Sequence, residues 1–198
     1  MTLPKDIQLS QWQKKAVNFS ELKQNSLNIE EIIRRKAELD KEVNIEPVTQ
    51  IYNRRLFNKI VEELNYSPDI GVVIFDADNF KKINDNYGGH TKGDEVLKRI
   101  AQVIKENCHT SLPSVDDQIR DFDYPFRIGG DEFALLLIQI QPKDVAKVAD
   151  RITDKLKQEN ISLSSGFAVT SKDLTLKEAY KKADQNMYLD KQTNKNGQ

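Results

Sequence analysis

The chain has 198 residues, of which 38% are hydrophobic and 31% are charged, so it can bury one core in a domain of about 150 residues that carries an extension. Its formal net charge of −1 excludes a global field that would attract nucleic acid or a membrane surface. Cys108 is the only cysteine, which excludes an intrachain disulfide. The sequence also has no apolar signal segment and no run of about 20 apolar residues. Together, the single cysteine and these two absences predict a cytoplasmic protein without a membrane span.

The first 45 residues predict a helical extension. Five apolar residues recur there at alternating heptad a and d positions: Leu22, Ile29, Ile32, Leu39 and Val43. A run this short fits two structures equally well, a dimerisation stalk and a helix that packs on its own domain. The role of residues 1–45 therefore stays open at this point.

A second helix and a buried strand are expected next. Pro47 ends the extension, and Thr49 is predicted to cap a helix from Gln50 to Leu64. The continuous apolar run Ile70–Phe75 predicts a central strand that is buried on both faces.

That strand runs directly into Asp76-Ala-Asp78. A carboxylate at the end of a buried strand is a common position for a metal or phosphate site. The alternative interpretation is structural, because Asp78 can cap a helix that begins at Asn79.

The rest of the chain alternates helices with loops and one more strand. Apolar spacing predicts helices at residues 80–87, 94–107, 142–160 and 175–191. The remaining segments are expected to be loops at 90–93 and 108–123, a strand at 161–169 and a frayed polar tail at 193–198.

A β-hairpin is predicted around Gly129-Gly-Asp-Glu132, because apolar or strand-forming residues lie on both sides of this segment. Its two glycines let a large group approach the backbone, and its two carboxylates can hold a divalent cation. The alternative is an ordinary hairpin with an acidic tip.

The order of elements predicts an α/β sandwich with a mixed sheet, since purely parallel sheets contain no central hairpin of this kind. Such a sheet brings Asp76 beside Asp131 and Glu132. Three carboxylates from two segments indicate Mg²⁺ that is shared with substrate phosphates, in a paired-metal arrangement. Lys81, one helical turn beyond Asp76, can neutralise charge on those phosphates.

The segment Gly129-Gly-Asp-Glu-Phe133 resembles the signature of the GGDEF family, the diguanylate cyclases that condense two GTP into cyclic di-GMP. Four more segments are similar to family motifs in the right order: Glu46–Phe57, Asp76–Asp85, Gly89–Leu97 and Ala183–Lys191. The resemblance covers residues 46–196. It implies a GGDEF domain at 46–198, with a mixed central sheet flanked by helices and related to the nucleotidyl cyclase and polymerase palm, after the extension at 1–45.

The resemblance also implies a metal site and catalytic residues. Two Mg²⁺ or Mn²⁺ ions per active site are expected on Asp76, the backbone carbonyl of Ala77, Asp131 and Glu132. Asp131 is also expected to help deprotonate the GTP 3′-hydroxyl, and Lys81 to stabilise the transition state.

Nucleotide contacts are implied in the same way. Asn84 and Asp94 are expected to hydrogen-bond the guanine, and His90 to line the nucleotide pocket. The remaining contacts are expected with the phosphates, from Gly129, Gly130, Lys191 and Lys195. For each lysine the alternative is an ordinary solvated charge.

Arg120 and Asp123 have the Arg-x-x-Asp form of the family's product-inhibition site, and five residues separate Asp123 from Gly129. An arginine can grip a guanine or phosphate while the carboxylate reads a guanine edge. The resemblance implies a homodimer as the active form, with GTP as substrate and cyclic di-GMP as product and inhibitor.

Four departures from the family pattern are visible: Gln50 in place of glycine, an additional glycine at 88–89, a longer loop at 108–119, and Asn194-Lys-Asn196 in place of Gly-Arg-Asn. They bear on phosphate binding and turnover. Two alternatives to the cyclase remain, namely a receptor for GTP or cyclic di-GMP without turnover, and a cyclase that makes a mixed purine dinucleotide.

Overall fold

Within the described residues, five strands form one mixed sheet in the order β1-β3-β4-β2-β5. Their bounds are β1 Tyr52–Asn53, β2 Gly71–Ala77, β3 Asp123–Arg127, β4 Glu132–Leu137 and β5 Leu163–Val169. The β1–β3 pair is parallel, and the other neighbours are antiparallel. The predicted mixed sheet with a central hairpin is therefore confirmed.

The computed structural model describes residues 44–63, 69–86, 90–108 and 123–196. The predictions that fall outside these ranges are the helical extension apart from its last two residues, the additional glycine at 88–89, residues 109–122 of the predicted loop, residues 197–198 of the tail, and the site residue Arg120.

Helices cover both faces of the sheet. They are α1 Arg54–Glu63, α2 Phe80–Asn86, α3 His90–Glu106, α4 Pro142–Gln158 and α5 Leu176–Asn196. Apolar side chains of α1 and α5 pack on one face of the sheet, and those of α3 and α4 pack on the other. All seven residues of β2 are buried, which confirms the prediction of a strand enclosed on both faces. None of these helices has the length and apolar character needed to cross a membrane.

The start of α1 differs from the prediction. The helix begins at Arg54, and Asn53 caps it by accepting a 3.1 Å hydrogen bond at Oδ1 from the Leu56 N–H. The backbone of Gln50 has a φ of 56°, which is outside the range of a right-handed helix. Shortly after it, Tyr52 and Asn53 form β1 and pair with β3. Thr49 instead donates to Glu46, so its prediction as a cap was wrong.

Three further boundaries differ. Helix α2 begins at Phe80 after Asn79, whose φ is 56°, while the Asp78 carboxylate accepts hydrogen bonds from two serine hydroxyls. Residues 90–93, predicted as a loop, form the first turn of α3. The tail predicted to fray from Thr193 is helical as far as Asn196, and Asn194 Nδ2 donates to Ser164 Oγ of β5.

Candidate active site

The end of β2 and the start of β4 bring the predicted carboxylates to one edge of the sheet. This edge is formed by the ends of interior strands and not by an outermost strand. Asp76 lies directly opposite Glu132 in the antiparallel register. The N–H of Ala77 donates a 3.1 Å hydrogen bond to the Asp131 carbonyl oxygen. Because β2 is buried along its whole length, Asp76 is only 6% exposed.

The turn between β3 and β4 is closed by the backbone. The N–H groups of Ile128 and Gly129 both donate to the Glu132 carbonyl oxygen, at 2.9 and 3.2 Å. A Cβ at Gly129 would lie 2.2 Å from Glu132 Oε2 and 2.9 Å from its Cβ, whereas a Cβ at Gly130 would have no atom within 4 Å. Gly129 is therefore needed for the position of Glu132, while Gly130 borders open space.

Arg127 braces the outside of this turn. Its Nη2 and Nε donate to the Gly130 carbonyl oxygen at 2.7 and 3.2 Å, and its Nη1 lies 2.9 Å from Glu46 Oε1. The two side chains are 14% and 16% exposed. This brace was not predicted, although Glu46 belongs to a segment that the resemblance had singled out.

Glu46 is itself held in place. Its Oε2 accepts from the Thr49 N–H at 2.8 Å and from Thr49 Oγ1 at 2.6 Å. Burial alone would raise the pKa of Glu46, but the bonds from Thr49 and the charge of Arg127 hold this pKa below its ordinary value. Glu46 is therefore the ionised partner that the Arg127 guanidinium requires.

The carboxylates at the sheet edge carry a surplus of negative charge. Burial is the main cause that raises the pKa of Asp76, and Asp131 and Asp78 add to it. Burial also raises the pKa of Glu132, with further contributions from the charges of Asp76, Asp131 and Asp184. A site with this electrostatic character favours a cation.

Lys191 of α5 supplies a positive charge at this edge. Its Nζ donates a hydrogen bond to Asp76 Oδ1 and forms an ion pair with it. Burial would lower the pKa of Lys191, but the hydrogen bond and the charge of Asp76 raise it. The sequence had predicted this lysine at the site without predicting its contact with Asp76.

The end of α5 is tied to β5 close to that lysine. Asp190 Oδ2 accepts from the Ser165 N–H at 2.8 Å, and Asn194 Nδ2 donates to Ser164 Oγ at 3.2 Å. Ser164 in turn donates to Asp78 at 2.7 Å. A polar network therefore joins the ends of β2, β5 and α5.

Comparison with known proteins identifies the family. The model of the family described as "Diguanylate cyclase, GGDEF domain" matches residues 43–197. The chain belongs to the GGDEF family. Its mixed sheet and flanking helices are the GGDEF fold, as expected from the resemblance.

Two curated relatives carry cyclase names. The chain is 33% identical over 158 residues to "Probable diguanylate cyclase DgcJ" of Escherichia coli (strain K12), covering 75% of this chain and 29% of that protein. It is 32% identical over 170 residues to "Diguanylate cyclase DosC" of Shigella sonnei, covering 78% of this chain and 34% of that protein. The chain thus spans about a third of the length of these relatives.

A solved structure shows the same fold. It is the crystal structure of the coiled coil and GGDEF domain of DgcB from Caulobacter crescentus in complex with c-di-GMP. The TM-score is 0.65 at 21% sequence identity, over 88% of this chain and 94% of that chain.

The other residues expected at the GGDEF site lie on three helices. Lys81 is exposed on α2 and Asp94 is half-buried on α3. For three positions only the backbone is described, and these are Asn84 on α2, His90 at the start of α3 and Lys195 near the end of α5.

Asp123, expected at the product-inhibition site, begins β3 at the end away from the hairpin turn, so it lies apart from the carboxylates.

The donor set fits a particular kind of metal binding. Among the described residues, no group of three acidic, histidine or cysteine side chains forms a ready-made metal cage. Asp76 and Glu132 face each other in register, and Mg²⁺ is typically held by one or two carboxylates together with substrate phosphates. The residues present therefore fit an ion that shares its coordination with a nucleotide.

Proposed function

We propose that this chain is a diguanylate cyclase that joins two GTP into cyclic di-GMP and releases two pyrophosphates. The observation that carries the proposal is the register of Asp76 opposite Glu132, beside a turn whose Gly130 borders open space. Acidic side chains beside open space support the binding of a triphosphate together with a cation. The cyclase names of the two curated relatives support the same reaction.

In the proposed site, Asp76, the Ala77 carbonyl, Asp131 and Glu132 hold two Mg²⁺ or Mn²⁺ ions. Such ions supply Lewis acidity, which favours ionisation of the attacking hydroxyl and departure of pyrophosphate. Burial and the neighbouring carboxylates raise the pKa of Asp76 and of Glu132, so added positive charge would stabilise their ionised forms.

The chemical step balances as a double transfer. Asp131 accepts the proton of one GTP 3′-hydroxyl, and the 3′-oxygen forms a bond to the α-phosphorus of the other GTP. The bond from that phosphorus to the β-phosphate oxygen breaks, and pyrophosphate leaves with the electron pair. Repeating the transfer in the opposite sense closes the ring.

The remaining residues bind and orient the nucleotide. Lys81 offsets charge at the transferring phosphate, and Lys191 and Lys195 hold the triphosphate beside Gly129 and Gly130. Asp94 selects guanine, because one carboxylate accepts from both the ring N1–H and the exocyclic amine. Asn84 adds a hydrogen bond to the base, and His90 lines the pocket.

The proposal includes an assembly. Each protomer of a homodimer holds one GTP, since the two 3′-hydroxyls attack each other's α-phosphates across the interface. Residues 46–198 form the catalytic domain and residues 1–45 the helical extension, in a cytoplasmic protein. Arg120 and Asp123 bind cyclic di-GMP as an inhibitor, at a site apart from the reacting carboxylates.

The test is product formation by the purified chain with GTP and Mg²⁺ or Mn²⁺, followed by chromatography. We expect cyclic di-GMP from the wild type and none from Asp131→Ala, with inhibition by added cyclic di-GMP that Arg120→Ala relieves. No product from a confirmed dimer overturns the cyclase. In that case, retained cyclic di-GMP affinity in Asp131→Ala identifies a receptor, and a hybrid product formed only when ATP is added identifies the mixed purine cyclase.

A further inference from the structure

The Lys191 ammonium lies against a carboxylate that the proposed function assigns to the metal. It donates to Asp76 Oδ1 across 115 residues of sequence. The Asp76 side chain is 8% exposed and the Lys191 side chain 25% exposed. A carboxylate this buried is strongly destabilising when it has no partner, and the Lys191 ammonium is a positively charged partner for Asp76.

The backbone that carries Lys191 is fixed next to the sheet. Asp190 accepts from the Ser165 N–H, and Asn194 donates to Ser164. A Cβ at Gly166 would lie 2.0 Å from the Met187 N atom, so α5 packs directly on β5. Lys191 can therefore leave Asp76 by rotating its own side chain while α5 stays in place.

A divalent cation and the lysine compete for the same carboxylate. Both neutralise Asp76, and two cations close to one carboxylate repel each other. A triphosphate offers the ammonium a second anionic partner. The side chain can thus move from Asp76 to a phosphate without losing a charged contact.

We propose that Lys191 is an exchangeable counter-charge that closes Asp76 to divalent cations until a nucleotide arrives. The nucleotide draws the ammonium to its phosphates, and the carboxylate then becomes a metal ligand. Cation and nucleotide binding are consequently coupled, each strengthening the other. This inference rests on the assignment of Asp76 to the metal in the proposed function.

The test measures Mn²⁺ binding to the full chain without nucleotide, from the loss of the free Mn²⁺ signal in electron paramagnetic resonance. We expect Lys191→Met to bind Mn²⁺ at least tenfold more tightly than the wild type. Lys191→Arg keeps the positive charge and is expected to bind as weakly as the wild type. Lys182→Met, at an exposed position of the same helix, is the matched control and is expected to change nothing.

Equal Mn²⁺ affinity in the wild type and a folded Lys191→Met overturns the inference, whether or not the wild type makes cyclic di-GMP. Far-ultraviolet circular dichroism shows whether the variant is folded; if it is not, tighter Mn²⁺ binding by Lys191→Gln supports the inference and unchanged binding overturns it. The double variant Asp76→Asn/Lys191→Met locates the ion. If the double variant loses the Mn²⁺ affinity that Lys191→Met gained, exchange at Asp76 is supported. If the double variant keeps that affinity, exchange at Asp76 is overturned. If Lys191→Met binds Mn²⁺ more tightly but the wild type makes no cyclic di-GMP, the exchange at Asp76 is supported and the proposed cyclase activity is overturned.

Discussion

The two sides of the site are held in different ways. On the hairpin side, backbone hydrogen bonds close the turn and the Arg127 guanidinium joins the Gly130 carbonyl to Glu46. On the helix side, one ion pair between Lys191 and Asp76 carries the charge. The first arrangement depends on geometry that no ligand can replace. The second supplies a positive charge to a buried carboxylate, so position and charge are supplied separately.

The largest effect is expected from breaking the hairpin side. Arg127→Ala leaves Glu46 without its cation and the Gly130 carbonyl without its donor, so the free energy of unfolding should fall by about 2–3 kcal/mol. Cyclic di-GMP formation should fall by about 100-fold, since small displacements of catalytic groups are costly. Urea unfolding and the product assay measure the two losses.

Arg127→Lys is the matched control for that prediction, because it keeps the charge and loses the planar fork. Stability close to the wild type combined with a large loss of product formation is expected. Wild-type activity in Arg127→Ala would show that the brace does not position the turn.

The two glycines of the turn should separate packing from substrate access. In Gly129→Ala the new methyl group meets Glu132, and we expect a loss of about 1–2 kcal/mol in unfolding free energy. In Gly130→Ala the methyl group enters open space, so stability should not change. If phosphates dock there, KM for GTP should rise about tenfold.

Thermal unfolding and GTP kinetics check this pair. The idea that Gly130 makes room for phosphates is wrong if Gly130→Ala binds GTP as well as the wild type. An unchanged melting temperature in Gly129→Ala would contradict the predicted clash with Glu132.

The surplus charge should appear as a dependence of stability on pH. Because the pKa of Glu132 is raised in the folded state, Glu132 keeps its proton to a higher pH in the folded protein than in the unfolded chain. As the pH rises above 4.5, the ordinary pKa of a glutamate, ionisation of Glu132 therefore lowers the free energy of unfolding. Glu132→Gln should melt at the same temperature as the wild type near pH 4 and a few degrees higher near pH 8.

Melting curves of metal-free, nucleotide-free protein test this expectation, with Glu62→Gln on the exposed face of α1 as the control. A difference in melting temperature that stays constant or shrinks with pH would contradict it. Product formation in Glu132→Gln should fall, because a proposed metal ligand is lost.

The smallest effect is expected at Gln50, in the segment that carries Glu46. Its φ of 56° lies in the left-handed region, where a side chain costs about 1 kcal/mol relative to glycine. Both Gln50→Gly and Gln50→Ala lose the 2.7 Å bond from Nε2 to the Pro47 carbonyl oxygen, so their difference isolates the strain. Gln50→Gly should be the more stable by about 1 kcal/mol in urea unfolding, and equal stability would contradict this.

Local pattern was sufficient where neighbouring residues decide the structure. The apolar run of β2, the glycines of the hairpin turn and Pro142 at the start of α4 all lie where the sequence predicts them. Local pattern failed at Gln50–Asn53, where helical spacing gave way to pairing with β3. It also failed at the tail, where residues 193–196 are helical and Asn194 bonds Ser164 of the sheet.

The sequence by itself determined the family, the mixed sheet and the nearness of Asp76 to the hairpin turn at this edge of the sheet, because an apolar run ends at Asp76 and strand-forming residues flank the glycines. The pairing of Asp76 with Glu132 joins β2 to β4, which are not consecutive strands, so the packed sheet decided that register. Only the tertiary structure decided how that edge is held and neutralised. The Arg127 brace joins segments 81 residues apart, from Glu46 to Arg127, and the Lys191 contact spans 115 residues. Such contacts depend on side-chain reach after the elements have packed, and no spacing within one segment records them.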